Sequence, residues 1–321
     1  MALQPILLCG GEGVRLWPIS RKNMPKQFIE FKNKKSLFEL TLERAQKLKT
    51  NRIPIIITSN KFRYLIMNIL KKLKIEAKLI FEPSEKNTTA SIYFAAQFSK
   101  KNDVLLIMPS DHEIKDTKEF TRVMSVAKMD LPNDCWITFG IPPSNPSDAY
   151  GYIELKEKYT KLKNKNHLND IISFIEKPAS SVASKLLKTK KYLWNSGIFM
   201  GSKKVIINSI IKHAPEITIS CEKVLKQTVN SENNVIYLND DFFHEIQSKS
   251  IDYAVLENEP KIKCMQLDVE WMDVGSIDNF YNNKKYFIPD NNFIQIDGKN
   301  NIMPFHKRLI ATIGVKNLMI V

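Results

Sequence analysis

Short apolar runs alternate with amphipathic segments through the first 140 residues of the 321-residue chain. The runs at 6–9, 54–58, 79–81 and 104–108 have the length of buried strands. The segments at 61–73 and 117–129 carry apolar residues at helical spacing. Strands that alternate with helices form a mostly parallel sheet covered on both faces. The pattern predicts a Rossmann-like α/β fold whose ligands lie beyond the carboxyl ends of strands.

The alternation changes from about residue 141. Predicted strands at 150–155 and 171–175 flank a lysine-rich loop, and predicted helices follow up to about residue 228. Ser276 is expected to cap a last helix that reaches about Lys285. Short β-like runs separated by turn residues fill 291–321. We therefore expect a mixed, mostly parallel central sheet and a short C-terminal β appendage.

Composition limits the class of protein. Hydrophobic residues make up 43% of the chain, and no apolar run approaches the ~20 residues that a membrane helix needs. The N-terminus lacks the basic region of a signal peptide. The cysteines form no CxxC pair, which favours buried, reduced thiols: Cys9, Cys135, Cys221 and Cys264. We expect a cytoplasmic protein that does not bind a membrane.

The formal net charge of +14 at pH 7 suggests the hypothesis that the protein binds nucleic acid. Lysine supplies most of this charge and arginine little. Recognition surfaces favour arginine because its guanidinium can donate two parallel hydrogen bonds. Scattered lysines are more typical of a solvated surface, so we expect no nucleic-acid partner.

A glycine turn follows the first predicted strand. Gly10, Gly11 and Gly13 let the backbone come close to a ligand, and turn N–H groups that point one way bind anions. Arg15 and Lys26 are among the cations that follow. A polyphosphate needs this combination. On the glycines alone, the alternative of a surface turn with solvated cations stays open.

Two standard phosphate loops do not fit this turn. A Rossmann fingerprint needs a third glycine where this chain has Leu16, and the chain contains no Gly-Lys-Ser/Thr. Trp17, Pro18 and Pro25 stiffen the segment, which favours a built binding loop over a simple connector.

The stretch at 10–28, GGEGVRLWPISRKNMPKQF, resembles the opening motif of mannose-1-phosphate guanylyltransferases of the long bacterial type. Further segments resemble family motifs: E-P-x-x-x-N-T at 82–88, P-S-D-H at 109–112, Y-G-Y at 150–152, E-K-P at 176–178, W-N-S-G-I-F at 194–199, S-I-D-Y-A-V at 250–255 and W-M-D-V-G at 271–275. The resemblance implies a nucleotidyltransferase catalytic domain over 1–285 and a short β-rich segment over 286–321. Many long members continue into a cupin-type isomerase domain, which we expect this chain to lack.

The resemblance implies a reaction in which mannose 1-phosphate attacks the α-phosphorus of GTP, giving GDP-mannose and diphosphate with Mg²⁺. It also implies four groups of site residues. They are Arg15 and Lys26 as catalytic cations on the triphosphate; Gly10, Gly11, Gly13, Asn87, Thr88 and Ser110 at the nucleotide; Gly151, Glu176, Lys177, Asn195 and Gly197 at the sugar phosphate; and Asp111 and Asp273 at the metal. His112 is expected to orient its neighbours rather than bind the metal. The S-I-D-Y-A-V segment is expected to be mainly architectural.

The chain departs from the family pattern at two places. The family often has T-G-Y-G-Y where this chain has Asp148 and Ala149 before Tyr150, and the proline of N-T-A-P-A-I is missing after Thr88. Two alternative functions stay open: the same chemistry with another sugar or base, and a catalytically silent regulator that binds a nucleotide sugar. The regulator should have lost catalytic residues, whereas the predicted cations and metal ligands are all present. Homo-oligomerisation stays open as well.

Overall fold

A computed structural model describes residues 1–11, 13, 16–17, 19–30, 35–159, 167–228, 234–275, 293–299, 301, 309–318 and 320. The strands are β1 (Leu3–Cys9), β2 (Ile55–Ser59), β3 (Lys78–Glu82), β4 (Val104–Pro109), β5 (His112–Ile114), β6 (Trp136–Ile141), β7 (Tyr152–Leu155), β8 (Leu168–Ile175), β9 (Tyr192–Ser202), β10 (Val235–Tyr237), β11 (Ile262–Gln266), β12 (Trp271–Asp273), β13 (Phe293–Ile296) and β14 (Ile310–Ile313). The helices are α1 (Leu37–Gln46), α2 (Arg63–Leu73), α3 (Asn87–Gln97), α4 (Thr117–Met129), α5 (Ser180–Thr189), α6 (Lys203–His213), α7 (Pro215–Gln227) and α8 (Ile251–Ala254). The helix expected at 276–285 and the predicted site residue Arg15 lie outside the described residues.

The main sheet has ten strands in the order β10-β3-β2-β1-β4-β9-β6-β11-β8-β7. The strands from β10 to β4 are all parallel. Strand β9 then runs antiparallel to both β4 and β6, β11 is parallel to β6, and β8 and β7 continue antiparallel. The predicted mixed, mostly parallel α/β sheet is confirmed.

The parallel strands are apolar on both faces because helices cover both sides of the sheet. Strands β2 and β6 are buried along their whole length. Helix α3 is also enclosed: its residues from Thr89 to Ala96 are all buried. A helix that is buried on every side belongs to the interior of a protein. Phe94 of this helix stacks on Phe243 with ring centroids 6.0 Å apart.

The chain forms two compact units. The first unit comprises Met1–Gly10, Leu42–Ser110 and Ile114–Trp271, and it contains the ten-stranded sheet. The second comprises Gly11–Thr41, Asp111–Glu113 and Met272–Val321. The predicted boundary at residue 285 stays a prediction. The short strands β13 and β14, which pair in parallel, lie within the expected C-terminal β segment.

Local signals in the second unit act as the sequence predicts. The capping box before α1 is present: the Ser36 N–H donates to the Glu39 carboxylate at 2.7 Å, and the Glu39 N–H donates to the Ser36 hydroxyl at 3.2 Å. Leu16, Leu37 and Val274 form a buried apolar cluster. This cluster fixes the start of α1 beside the chain that follows β12.

The four cysteines are buried and form no disulfide, as expected, and all four are among the described residues. None of the helices in the described part of the chain has the length and hydrophobicity that a bilayer crossing requires.

Two buried threonines in the main sheet differ in how their hydroxyls are used. Thr58 donates to the carbonyl of Cys9 at 2.8 Å, whereas the hydroxyl of Thr138 has no partner among the described residues. An unpaired buried hydroxyl is destabilising, while valine has the same shape without it. We expect Thr138→Val to raise the free energy of unfolding by about 1 kcal/mol and Thr58→Val to lower it by about 1 kcal/mol. Denaturant unfolding of the two variants measures both; equal effects would contradict the assignment.

Candidate active site

The glycine turn and Lys26 lie together in the second unit. Gly13 has φ +61°, and a Cβ there would lie 2.9 Å from the backbone nitrogen of Lys26, so only glycine fits. Ser20 donates to the Gly13 carbonyl at 2.5 Å, and the Gln27 amide donates to the Gly11 carbonyl at 3.2 Å. These bonds hold the turn against the short 3₁₀ helix Lys26–Phe28.

Lys26 forms ion pairs with two aspartates that come from distant parts of the sequence. Its Nζ is 2.7 Å from Asp111 Oδ2, 2.7 Å from Asp273 Oδ1 and 3.2 Å from the Val274 carbonyl. Asp111 follows β4 and Asp273 ends β12, while β5 and β12 pair in a two-stranded sheet. An ammonium group has three hydrogens, so all of its donors are engaged. The predicted triphosphate cation therefore faces the two predicted metal ligands.

The pKa values of these groups reflect the pairing. Burial lowers the pKa of Lys26, but the charges of Asp111 and Asp273 outweigh burial and raise it overall. Burial raises the pKa of Asp111, but the charges of Lys26 and His112 lower it to about 2. A carboxyl whose folded pKa is depressed stabilises the protein above its unfolded pKa and loses that contribution as the pH falls through the folded value. The contribution of Asp111 is therefore present above about pH 4 and lost towards pH 2.

The donor set at this position fits a divalent metal. One ligand atom each from Asp111, His112 and Asp273 lies within 4.8 Å of the others. Carboxylate oxygens are the protein ligands that Mg²⁺ prefers, usually one or two of them together with phosphate oxygens and water. The buried ammonium of Lys26 between the carboxylates shows that this position favours positive charge.

The junction of β3 and α3, in the first unit, carries the predicted nucleotide residues Asn87 and Thr88. Asn87 has φ +64°, and its Oδ1 accepts from the Thr88 N–H at 2.9 Å. The Thr88 hydroxyl accepts from the Ile251 N–H at 2.8 Å. Ser110, also predicted at the nucleotide, is buried and donates its hydroxyl to the Leu8 carbonyl of β1 at 2.9 Å. Gly10 follows β1, whose parallel neighbour β4 ends directly before Ser110.

Glu82 at the end of β3 is a buried acid. Burial raises its pKa to about 8, although the Ser91 hydroxyl donates to it at 2.8 Å and lowers the pKa in part. At neutral pH the side chain is therefore held mostly as the neutral acid. A raised folded pKa stabilises the protein below the unfolded pKa, and this contribution is lost as the pH rises towards the folded value.

We expect Glu82→Gln to match the wild type at pH 5 and to exceed it in unfolding free energy at pH 9 by about 2 kcal/mol or more. The amide keeps an acceptor for Ser91 but cannot ionise. Denaturant unfolding at a series of pH values measures the difference. Glu76→Gln, at an exposed carboxylate in the loop between α2 and β3, is the control for the chemical change itself. A flat Glu82→Gln difference would contradict the assignment.

The predicted sugar-phosphate residues form a partly exposed cluster in the first unit, which we call the sugar-phosphate cluster. Register places them together: Tyr152 of β7 pairs with Ile175 of β8 and with Trp194 of β9. The Asn195 N–H donates to the Gly151 carbonyl at 2.8 Å. A Cβ on Gly151 would lie 2.5 Å from Glu176 Oε2, so glycine lets the carboxylate approach the chain closely.

The polar side chains of the sugar-phosphate cluster interact with one another. The Asn195 Oδ1 accepts from the Gly197 N–H at 3.1 Å, and its Nδ2 donates to Asp252 Oδ1 at 2.8 Å. Lys177 has φ +44°, is largely exposed, and its Nζ lies 3.1 Å from Glu176 Oε1. The sugar-phosphate cluster therefore offers carboxylates, an amide and an exposed cation, which are groups that can bind the hydroxyls and the phosphate of a sugar phosphate.

Three aromatic rings pack together beside the sugar-phosphate cluster. The ring centroid of Tyr150 lies 5.0 Å from those of Trp194 and Trp271, and the two tryptophans are 6.2 Å apart. Both tryptophans are buried, so their rings fix the strands rather than contact solvent. In the sequence, Tyr150, Trp194 and Trp271 stand out only as members of the motifs. The sequence carried no sign of the contacts that Ser20, Gln27 and Asp252 make.

Comparison with known proteins identifies the family of the chain. The nucleotidyl transferase family model matches residues 4–288. A mannose-1-phosphate guanylyltransferase of Escherichia coli is 30% identical over an alignment of 329 positions, which covers 99% of this chain and 70% of the relative. A crystal structure of mannose-1-phosphate geranyltransferase from Thermus thermophilus has a TM-score of 0.79 at 22% identity, over 99% of this chain and 92% of that one. That structure supports the fold alone.

A crystal structure of mannose-6-phosphate isomerase from Helicobacter pylori is 28% identical, with a TM-score of 0.72 over 85% of this chain and all of that one. The family match covers most of the chain, and the identity to the Escherichia coli enzyme extends over nearly all of it. The chain therefore belongs to the nucleotidyl transferase family and, within it, to the mannose-1-phosphate guanylyltransferases.

Proposed function

We propose that the protein transfers the guanylyl group of GTP to mannose 1-phosphate, giving GDP-mannose and diphosphate. The observation that carries the proposal is the meeting of Asp111 and Asp273 on the buried Lys26 ammonium. Such a centre serves a reaction that brings two polyanions together. The choice of mannose and guanine rests on the relatives, which are named for that pair.

The reaction needs no general base, because the attacking phosphate oxygen of mannose 1-phosphate is already an anion. It forms a bond to the α-phosphorus of GTP, and the bond from that phosphorus to the bridging oxygen breaks to release diphosphate. The demand on the protein is to align the two phosphates and to stabilise the charge of the transition state.

Asp111 and Asp273 would hold Mg²⁺, which neutralises phosphate charge when it is bound. Lys26 neutralises the carboxylates in the structure, and its ammonium can donate to phosphate oxygens once another cation takes over that role. Arg15, which lies outside the described residues, is assigned to the triphosphate by its motif. The Gly11 and Gly13 turn and the Asn87–Thr88 segment are assigned to the nucleotide.

On the sugar side, Glu176 would accept hydrogen bonds from hydroxyls, and Lys177 would pair with the sugar phosphate. Gly151 and Gly197 keep the backbone open to the ligand, while the Asn195 amide donates to it. Location in the cytoplasm, where GTP is abundant, stays a prediction.

Diphosphate release with Mg²⁺ tests the proposal, with GTP, ATP, dTTP and CTP each crossed against mannose 1-phosphate and glucose 1-phosphate. Turnover confined to GTP with mannose 1-phosphate is the expected result. Turnover with another pair would keep the chemistry and move the specificity. Absence of turnover, with GDP-mannose still bound, would favour a regulatory role.

A further inference from the structure

Asp252 lies in the S-I-D-Y-A-V segment, which the sequence assigns to architecture. Ser250 caps α8 by accepting from the Tyr253 N–H at 3.4 Å, and Asp252 is the second residue of that short helix. Its side chain is partly exposed, unlike those of Ile251 and Ala254, which are buried in the core. Its carboxylate lies against the Asn195 amide, among the predicted sugar-phosphate residues, rather than in the apolar core.

The contact of Asp252 with Asn195 fixes the orientation of that amide. The Gly197 N–H must donate to an oxygen, and the Asp252 carboxylate must receive a hydrogen from a nitrogen. Only one of the two amide orientations satisfies both bonds. The Nδ2 group carries two hydrogens, and Asp252 takes one; no acceptor for the second is found in the described part of the chain. That second hydrogen is available to an oxygen of a bound sugar phosphate.

The segment that carries Asp252 is itself held by the start of α3. The Ile251 N–H donates to the Thr88 hydroxyl at 2.8 Å, and the Thr89 hydroxyl donates to the Lys249 carbonyl at 2.8 Å. The Thr89 N–H also donates to that carbonyl at 3.3 Å. Bonds on both sides of Ser250 leave the carboxylate little freedom to move away from Asn195.

The charges around Asp252 are compatible with a carboxylate that acts by accepting a hydrogen bond. Burial raises its pKa, the bond from Asn195 lowers it, and the nearby Glu176 raises it. Ionised or neutral, Asp252 can still offer an oxygen to the Asn195 amide. The contact does not therefore depend on full ionisation.

We propose that Asp252 is a positioning residue for the sugar-phosphate side of the reaction: it orients the Asn195 amide so that the amide's second N–H donates to the bound sugar phosphate. The inference rests on the proposed function and adds a residue to it. Asp252 acts through Asn195, so its effect should appear in the binding of the sugar phosphate and vanish when Asn195 is gone.

The test compares Asp252→Ala with Asp252→Asn in the full chain. Alanine removes the acceptor, so KM for mannose 1-phosphate should rise about tenfold while KM for GTP stays within about twofold. Asparagine offers an oxygen at the same place, so that variant should stay within about threefold of the wild type. Asp130→Ala, which removes an exposed carboxylate just after α4, is the matched control and should leave both KM values unchanged.

A double-mutant cycle with Asn195→Ala separates positioning from a structural role. Asp252→Ala should have little further effect on KM in the Asn195→Ala background. Additive losses, or equal losses in Asp252→Ala and Asp252→Asn, would overturn the proposal. Thermal melting checks that each variant is folded, and the asparagine comparison keeps the test valid if the alanine variant is not.

The wild-type panel distinguishes failure of the proposed function from failure of this inference. If the wild type uses another nucleotide and sugar phosphate, the same variants are measured with that pair. If it turns over none, calorimetric binding of mannose 1-phosphate replaces KM. In either case, loss with alanine and retention with asparagine supports the role of Asp252, and any other order contradicts it.

Discussion

Asp111→Ala should lower kcat with GTP and mannose 1-phosphate by about 10³-fold at saturating Mg²⁺. The substitution removes one of the two carboxylates that would hold the metal, whose charge would stabilise the guanylyl group during its transfer. The fold should persist, because Lys26 keeps its contacts with Asp273 and the Val274 carbonyl. Steady-state diphosphate release measures the loss.

The comparison variants make this prediction specific. Asp273→Ala should cost about as much, and the double variant should be little worse than either, since residues that act as one unit are strongly non-additive. Asp130→Ala, at an exposed carboxylate just after α4, should retain wild-type turnover. Near-normal rates in Asp111→Ala would remove Asp111 from the mechanism.

Lys26→Met should lower the free energy of unfolding by roughly 3–5 kcal/mol in the absence of divalent metal. Methionine keeps much of the length of the buried side chain but leaves Asp111 and Asp273 without the ammonium that neutralises them. Two neighbouring carboxylates without a counter-ion repel each other, and the folded state bears that cost. Denaturant unfolding in EDTA measures it.

The response to metal provides the second half of this prediction. Under the proposed assignment, Mg²⁺ would bind the carboxylate pair of the folded state and not the unfolded chain. Saturating Mg²⁺ should then stabilise Lys26→Met more than the wild type, where the ammonium competes for the same oxygens. Lys22→Met, at an exposed lysine of the same segment, should change neither stability nor metal response. Equal stabilisation of wild type and Lys26→Met by Mg²⁺ would contradict competition at this centre.

Strands β1 to β4 could be predicted from the sequence because each is a short apolar run bounded by turn residues, whereas β10 is not predicted. Helix α4 has the bounds that its apolar spacing predicts, and its Asp116 cap accepts from the Glu119 N–H at 2.9 Å. Strand β9 is not predicted as a strand, although its motif stands out. Asn195, Ser196 and Gly197 interrupt its apolar pattern, and the strand forms because two neighbours pair with it.

The site residues also divide into those that a local pattern predicts and those whose contacts only the fold creates. The local glycine pattern is enough to select Gly13 for a close backbone turn, and the Y-G-Y motif selects Gly151 for the sugar-phosphate side. Only the structure shows that Gly151 lies against Glu176. The contacts of Lys26 with the carboxylates, and of Asp252 with Asn195, join segments far apart in sequence. No local pattern encodes such contacts, because the fold alone decides which distant side chains meet. The motif predicts Lys26 at the phosphates, and its pairing with Asp111 and Asp273 is apparent only from the fold.

The strand order of the main sheet affects how the protein can be synthesised. Strand β4 has β1 on one side and β9 on the other, and β9 ends only at Ser202. A nascent chain that has completed β1 to β4 therefore exposes the open edge of β4 until another ninety or so residues have left the ribosome. Unpaired strand edges promote aggregation of incomplete chains. Fragments that end before β9 should consequently be poorly soluble. When translation of this region is slow, the solubility of the incomplete chain should depend on chaperones that cover the edge of β4.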